Sequence, residues 1–403
     1  MKRSSTKPPR VVSAEEARRV LVSHLGLSRF ETKRGAAGIR AVLERLRCIQ
    51  LDPLDVIGDN ADLVVLARVR GTKRGDVHRA VHPGFAFEHF AKERCLLPAT
   101  AFPNYRDRAV ETPWWRHSDR MKRLDPGLVE AVLEEVRARG PITARELEHR
   151  GTVEAIDWAG WKGTSSAAKL ALEVLWTRCE VVVSGRRGRD KVYDVPARAL
   201  PSVASSPPAE EFERWALIER AHAAGLLPRA AGPCWSMLSE VRTSELPDRL
   251  VEEGILESIA VDGAPRAYLA PAGLFERRAK APDEHMRILG PLDPLLWHRP
   301  LVKDAFGFDY VWEVYKPAAE RKWGWYVCPL YHRGELVGRV EAIARDGTLV
   351  VDRLWWEDDV EGDENALGVA LERHAEACGC DAVKIRAKRS TRRRRSSSGR
   401  PRR

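Results

Sequence analysis

The sequence lacks several features that would assign it to common classes of protein. No apolar run among its 403 residues approaches the length of a membrane-spanning helix, and the first ten residues lack the apolar centre of a signal peptide. The seven cysteines are scattered, and Cys378-Gly-Cys380 has the spacing of neither a metal finger nor a thioredoxin motif. We therefore expect reduced thiols in a cytoplasmic protein.

Motifs for phosphate, dinucleotide and metal binding are also absent from the sequence. There is no glycine-rich phosphate loop and no dinucleotide fingerprint. His89 and Glu93 lie four residues apart and could serve a metal, but the sequence offers no third ligand at a suitable spacing. We therefore expect neither a metal nor a cofactor.

Positive charge is concentrated at the C-terminus. Residues 384–403 contain 11 of the 68 Lys and Arg residues and no acid, so the rest of the chain holds 57 basic against 58 acidic residues, a net charge of −1. Such a segment has little apolar content and repels itself, which predicts a disordered tail. Its four consecutive arginines favour a salt-sensitive contact with phosphates, and a solubilising tail without a partner is the alternative.

The length of the chain exceeds what one hydrophobic core normally supports. Helical periodicity dominates the first part of the chain, and from about residue 285 the apolar residues recur at every second position. We predict an α+β fold in which tandem winged-helix modules are followed by a small antiparallel β-rich, barrel-like C-terminal module. The expected units are a helical or winged-helix module over 11–125, a winged-helix module over 126–200, a winged-helix-like module over 208–280, the β-rich module over 285–383 and the tail over 384–403.

The second of these units carries the clearest pattern. Helices are expected over 129–139, over 143–147 and from Ser165 or Ser166 onward, and two short β segments follow around a glycine turn. A hairpin after three helices is typical of a wing, whose basic residues contact phosphates or the minor groove of DNA; an ordinary solvated turn is the alternative. The predicted DNA-binding residues are Lys169 on the third helix and Arg186, Arg187, Arg189 and Lys191 on the hairpin.

The segment from Ile49 to Ile57 places two polar side chains inside an apolar stretch. Gln50 and Asp52 are separated by one residue, so in extended backbone they face the same side and can hold one water molecule. Pro53 restricts Asp52 to extended geometry and cannot itself donate a backbone hydrogen bond. The alternative is that Asp52 caps a helix whose first residue is Pro53.

Several blocks of sequence carry a resemblance to a known family. They are residues 48–56 with 61–68, residues 87–98, residues 166–196, and three short C-terminal motifs at 292–297, 306–310 and 338–340. In this order and spacing they resemble the signature segment, the aromatic-rich HEASLLP region and the later blocks of the YcaQ/AlkZ-like winged-helix DNA glycosylases. The chain departs from the family's pattern after the signature, where a Ser-His-His or Ala-His-Tyr run is common and residues 58–62 read Gly-Asp-Asn-Ala-Asp.

The resemblance implies a DNA glycosylase that excises N7-alkylated purines from double-stranded DNA and unhooks interstrand crosslinks. We expect a nucleoid-associated monomer in which Gln50 and Asp52 are the catalytic residues and activate water. No lysine stands in the signature segment, so a Schiff-base lyase step is not expected and the enzyme should be monofunctional. The alternative is a noncatalytic winged-helix DNA-binding protein, such as a regulator or accessory repair factor; the altered residues 58–62 favour it, and the retained Gln50 and Asp52 oppose it.

Overall fold

The computed structural model describes residues 8–106, 108, 116–154 and 163–386. Most of the expected basic tail, residues 387–403, lies outside the described residues. Within the described part of the chain, no helix is both long enough and apolar enough to cross a lipid bilayer.

The first part of the chain is mainly helical and surrounds a small sheet. Ser13 accepts a hydrogen bond from the backbone nitrogen of Glu16 at 3.0 Å, so the first helix begins where the capping pattern predicts. Three short strands, β2 (Ile49–Gln50), β3 (Ala86–Phe90) and β4 (Arg94–Pro98), form an antiparallel sheet in the order β2-β4-β3. The elements are β1 (Arg10–Val12), α1 (Ala14–His24), α2 (Gly35–Leu46), β2 (Ile49–Gln50), α3 (Asn60–Leu66), α4 (Asp76–Val81), β3 (Ala86–Phe90), β4 (Arg94–Pro98), α5 (Phe102–Tyr105) and α6 (His117–Met121).

The second part combines helices with the predicted hairpin. A helix was expected over 143–147, but the chain forms a turn there, because the carboxylate of Glu146 accepts a hydrogen bond from the backbone nitrogen of Thr143 at 2.7 Å. The predicted hairpin is confirmed and consists of β8 (Val182–Arg187) and β9 (Asp190–Asp194). The short strand β5 (Ile142–Thr143) pairs with β9. The elements are α7 (Leu128–Arg139), β5 (Ile142–Thr143), β6 (Thr152–Glu154), β7 (Thr164–Ser166), α8 (Ala167–Thr177), β8 (Val182–Arg187), β9 (Asp190–Asp194) and α9 (Pro196–Ala199).

The third part contains a second hairpin. The sequence pattern of residues 255–268 predicts a hairpin, and strands β11 (Leu256–Val261) and β12 (Ala267–Pro271) pair there in antiparallel fashion. Strand β1, from the start of the chain, joins their sheet in parallel with β11. The strand order in this sheet is β1-β11-β12-β10. The elements are α10 (Phe212–Ala224), β10 (Leu227–Pro228), α11 (Ser239–Thr243), α12 (Leu246–Glu252), β11 (Leu256–Val261) and β12 (Ala267–Pro271).

The C-terminal part is rich in β structure, as expected. Its five strands follow one another in the order β13 to β17 and form a sheet that curls into half a barrel. The elements are β13 (Arg287–Ile288), α13 (Arg299–Phe306), β14 (Val327–His332), β15 (Glu335–Arg345), β16 (Thr348–Trp356), α14 (Glu364–Cys378) and β17 (Ala382–Ile385).

Two details of this sheet differ from the sequence-based expectation. The period-two pattern from about residue 285 predicts a strand over residues 311–315. These residues form a loop instead, because the buried carboxylate of Glu313 accepts hydrogen bonds from the backbone nitrogens of Lys322 and Trp323 at 3.1 and 2.7 Å. The last strand, β17, runs parallel to β16 and includes Lys384, which was assigned to the tail. Helix α14 connects these two strands, and such a crossover is what parallel pairing requires.

The apolar cores are shared between the expected units, and a single core contains residues from more than one of them. The first core combines residues of α1, α2 and α3 with residues of β11, β12 and α13. A buried ion pair crosses the same boundary, since the guanidinium group of Arg68 donates to both carboxylate oxygens of Asp293 at 2.7 and 3.1 Å. Thus Arg68 and Asp293, which lie in two separate blocks of the family resemblance, meet in space. The unit boundaries themselves remain a prediction, as does the winged-helix identity of the modules.

Candidate active site

The signature segment lies at one edge of the small sheet. Gln50 is the last residue of β2 and pairs with Cys95 of β4. The next backbone nitrogen, that of Leu51, donates to the carbonyl of Arg94 at 2.8 Å, so the segment runs alongside the start of β4. This pairing brings the β3–β4 turn, residues 91–93, next to Gln50 and Asp52.

Gln50 is buried and held at two points. Its backbone carbonyl accepts a hydrogen bond from Nδ2 of Asn60 at 2.7 Å, and its side-chain oxygen Oε1 accepts one from Nζ of Lys92 at 2.9 Å. Asn60 belongs to the stretch that departs from the family's pattern, so that stretch supports the signature segment directly. Lys92 was not predicted, because it lies 42 residues from Gln50 in the sequence and no local pattern connects the two.

Asp52 has a different environment. Its Oδ1 accepts a hydrogen bond from the backbone nitrogen of Leu54 at 2.9 Å, and no ion pair holds the carboxylate within the described part of the chain. Partial burial raises the pKa of Asp52, although the hydrogen bond from Leu54 opposes the shift. Burial and the lack of a cationic partner therefore make Asp52 a candidate functional group.

The alternative role of Asp52 as a helix cap is wrong. The chain from Leu51 to Asp59 contains no helix, and α3 begins only at Asn60. The N-cap of α3 is Asp59, whose Oδ1 accepts a hydrogen bond from the backbone nitrogen of Asp62 at 2.8 Å. Asp52 instead closes a local turn at Leu54, which leaves its second carboxylate oxygen available to a ligand.

Two further residues border the site, and neither was predicted as part of it. Burial raises the pKa of Glu93, against the opposing influence of the nearby Ser236 hydroxyl and of Lys92. Desolvation of the Tyr315 hydroxyl, together with the charges of Asp52 and Glu93, raises the pKa of that tyrosine. The Tyr315 ring lies 5.6 Å from that of Trp312 in an edge-to-face contact. Because Tyr315 comes from the loop that Glu313 closes, its position near Asp52 has no signal in the local sequence.

The potential metal ligands that the structure brings together are not the pair His89 and Glu93 that the sequence offered. His89 is fully buried, and its Nε2 faces the carbonyl of Thr177 at 3.1 Å. Among the described residues, His78, His82 and Glu88 place one potential ligand atom each within 4.8 Å of one another. The carboxylate of Glu88, however, already forms ion pairs with Arg94, at 3.2 Å, and with Arg186. A dication would have to displace these guanidinium groups, so we assign no metal here.

The predicted wing residues have different surroundings. Arg186 pairs with Glu88 of β3, and Arg187 donates to both oxygens of Glu146 at 2.6 and 2.7 Å. Burial lowers the pKa of Lys191 to about 7, with Arg94 lowering it further and Glu88 opposing the shift. Arg189 is 92% exposed at the hairpin turn, 3.9 Å from the carboxylate of Asp55. Lys169 is exposed in the first turn of α8.

A basic cleft that the sequence did not indicate lies beside the end of α2. Its volume is about 460 Å³, and Glu44 is the only acidic residue among those that line it. His24 and His222 border it, and burial lowers the pKa of both imidazoles. Two of its arginines are paired with acids, since Arg45 lies 3.6 Å from the carboxylate of Glu31 and Arg47 lies 3.7 Å from that of Glu219. Its basic residues, which come from segments far apart in the chain, are Arg45, Arg47, Arg277, Arg278 and Lys280.

Two comparisons with known proteins give consistent results over most of the chain. The family model described as "DNA glycosylase AlkZ-like" matches residues 43–377. Among solved structures, the chain is similar to the DNA glycosylase AlkZ of Streptomyces sahachiroi, with a TM-score of 0.58 and 21% sequence identity. The similarity covers 94% of this chain and 100% of that one, and at this identity it shows a shared fold.

Proposed function

Because the chain belongs to the AlkZ-like DNA glycosylase family, we propose that it hydrolyses the N-glycosidic bond of N7-alkylated purines in double-stranded DNA. The observation that supports this most directly is the state of Asp52. Its carboxylate is partly buried, its pKa is raised by that burial, and it has no ion pair within the described residues. Gln50, held two residues away, provides the second polar group.

The chemistry of the substrate explains why this small set of groups is sufficient. A purine alkylated at N7 carries a positive charge and leaves as a neutral base, so its departure needs little help from a general acid. The barrier lies in the oxocarbenium-like sugar and in the delivery of water to its anomeric carbon. The negative charge of Asp52 stabilises the sugar cation, and the same carboxylate accepts the proton of the water that Gln50 orients.

The surroundings of the site support a role on large DNA adducts. Asp52 is partly exposed at the end of β2, and Tyr315 borders it from the C-terminal part of the chain. An open site of this kind accepts a bulky or crosslinked base that a closed pocket would exclude. The same bond cleavage on one side of an interstrand crosslink would unhook it.

Binding to the duplex would use exposed basic groups outside the site. The order α7–β5–β6–β7–α8–β8–β9, with β5 beside β9, supports a winged-helix module in this region. Within this proposal, Lys169 and Arg189 contact phosphates, while Arg186 and Arg187 hold the hairpin to β3 and to the β5 turn through their ion pairs. The basic cleft beside α2 offers a further surface for the backbone.

One assay separates this function from a noncatalytic DNA-binding role. A duplex containing N7-methylguanine is incubated with the protein, the released base is quantified, and strand breaks are measured before and after the DNA is treated with alkali. We expect base release with strand breaks that appear only after alkali, as a monofunctional glycosylase produces. A lack of release from several N7-alkylpurine duplexes, with duplex binding intact, would favour a noncatalytic regulator or accessory factor.

A further inference from the structure

A buried lysine contacts the amide of Gln50. Lys92 is only 5% exposed, and its Nζ lies 2.9 Å from Oε1 of Gln50. The ammonium group also lies 5.3 Å from the centre of the Trp297 ring, whose Nε1 donates to the carbonyl of Leu292 at 3.1 Å. Lys92 therefore lies between the signature segment and the Asp293–Trp297 turn, and not in solvent.

This lysine is costly to bury. Within the described residues no carboxylate lies within ion-pair distance of its Nζ, and burial lowers its pKa. A charged amine away from water is normally compensated by an acid, and here its contacts are an amide oxygen and an aromatic ring. Folding alone does not require a charge at this position. We therefore look for the function of Lys92 in the effect of its ammonium group on Gln50.

The ammonium group determines which way the Gln50 amide faces. A protonated lysine has three donors and no acceptor, so it must meet the amide oxygen and not the amide nitrogen. Nε2 of Gln50 then points away from Lys92, and the hydrogen bonds of Gln50 within the described residues are made by its backbone carbonyl and by Oε1, not by Nε2. A hydrogen bond from a cation to Oε1 also polarises the amide and strengthens Nε2–H as a donor.

We propose that Lys92 is a positioning residue for the glycosylase reaction. Its ammonium group locks Gln50 so that Nε2 donates to the oxygen of the attacking water, while Asp52 accepts a proton from the same water. This inference rests on the proposed function and adds to it a residue outside the signature segment. Lys92 acts through Gln50, because its own Nζ is enclosed by Gln50 and Trp297.

The first test is a double-mutant cycle on the single-turnover rate at saturating enzyme. Lys92→Met keeps the length of the side chain and removes the charge, and we expect it to slow excision by about 10- to 100-fold, the effect of losing one charged hydrogen bond. Lys92→Arg retains a donor and should recover part of the rate. In a Gln50→Ala background the Lys92→Met change should have no further effect, because the group on which it acts is gone.

The second test uses Gln50→Glu, which replaces only the donor. The carboxylate keeps an oxygen towards Lys92 and forms an ion pair with it, so we expect an unchanged or higher melting temperature. Excision should nevertheless be as slow as in Gln50→Ala, because no Nε2 remains to donate to water. This variant keeps the proposal testable even where Lys92→Met fails to fold.

The outcomes distinguish this inference from the proposed function. Loss of base release in the wild type would contradict the function itself. If the wild type is active, an equal slowing by Lys92→Met with and without Gln50 would overturn the positioning role, as would wild-type excision by Gln50→Glu. A borohydride-trapped complex with abasic DNA that requires Lys92 would also overturn it, since an imine between Nζ and C1′ means direct contact with the sugar.

Discussion

Asp52 and Glu88 are two carboxylates of the same small sheet, and their surroundings are opposite. Glu88 lies on β3 and is fully buried; burial alone would raise its pKa, but the charges of Arg186 and Arg94 hold it well below the usual range. Asp52 follows β2, is partly buried and has no ion pair within the described residues, so burial raises its pKa. The charge of Glu88 is compensated by Arg94 and Arg186, which ties the β8–β9 hairpin to β3, whereas the unpaired Asp52 is the carboxylate that we propose accepts a proton.

The largest effect on stability should follow from removing Arg186, one of the two arginines that pair with Glu88. We expect Arg186→Met to lower the free energy of unfolding by about 3 kcal/mol, the lower end for a stranded buried charge because Arg94 remains beside Glu88. Urea denaturation measures it. Arg189→Met on the same hairpin is the matched control, and its exposed side chain predicts a change within about 0.5 kcal/mol. Equal stability of the two variants would show that Glu88 does not depend on Arg186.

The unpaired carboxylate of Asp52 predicts that the excision rate depends on pH. Asp52 accepts a proton only when ionised, so the excision rate should fall as the pH falls through its pKa, by about tenfold per unit below it. Because burial raises that pKa, the decline should begin above the range of an ordinary aspartate. Single-turnover rates over an acid pH series, corrected for spontaneous depurination, measure the dependence. A rate that stays constant throughout the series would exclude Asp52 as the base.

Removal of the tail should affect binding and leave the chemistry unchanged. Lys384 and Ile385 belong to β17, so the deletion should begin at residue 387 and spare that strand. We expect weaker duplex binding, by about 10-fold or more at low salt, and a flatter dependence on salt, by about 0.9 in slope for each lost phosphate contact. A tail of equal length with glutamine in place of Lys and Arg is the control for length. A change in lesion preference would contradict a purely electrostatic tail.

The smallest effect is expected at the wing turn. Arg189→Ala should raise the duplex concentration for half-maximal excision by about 3- to 10-fold without slowing excision at saturation, because Arg189 would position the backbone and not the sugar. Arg345→Ala, an exposed arginine of the β15–β16 turn, is the matched control. A collapse of the saturated rate in Arg189→Ala would place this residue, which lies 3.9 Å from Asp55, within the active site.

The sequence predicted well those features that depend on local pattern. The capped start of α1, the hairpins β8–β9 and β11–β12 and the β-rich character of the C-terminal part follow from residue periodicity and turn residues, and they are confirmed. The family was recognised from blocks in a fixed order, and the match over residues 43–377 confirms it. Gln50 and Asp52 were singled out because their spacing places both on one side of an extended segment.

What the sequence could not predict depends on contacts between distant residues. Glu88 and Arg186 are 98 residues apart, so nothing in the basic hairpin indicated that Arg186 faces a buried acid. Lys92 reaches Gln50 only because β2 pairs with β4, and Tyr315 approaches Asp52 only because Glu313 closes a loop. In each case the role of the residue follows from tertiary packing, which no local sequence pattern indicates.

If Asp52 is the group that accepts the proton of the attacking water, Asp52→Asn should nearly stop the reaction without disturbing the fold. Asparagine can still accept the hydrogen bond from Leu54, so the local turn, the melting temperature and the duplex affinity should be preserved. The account predicts that the single-turnover release of N7-methylguanine at saturating enzyme falls by about 10² to 10⁴. Release at the wild-type rate by a folded, DNA-binding Asp52→Asn protein would contradict it.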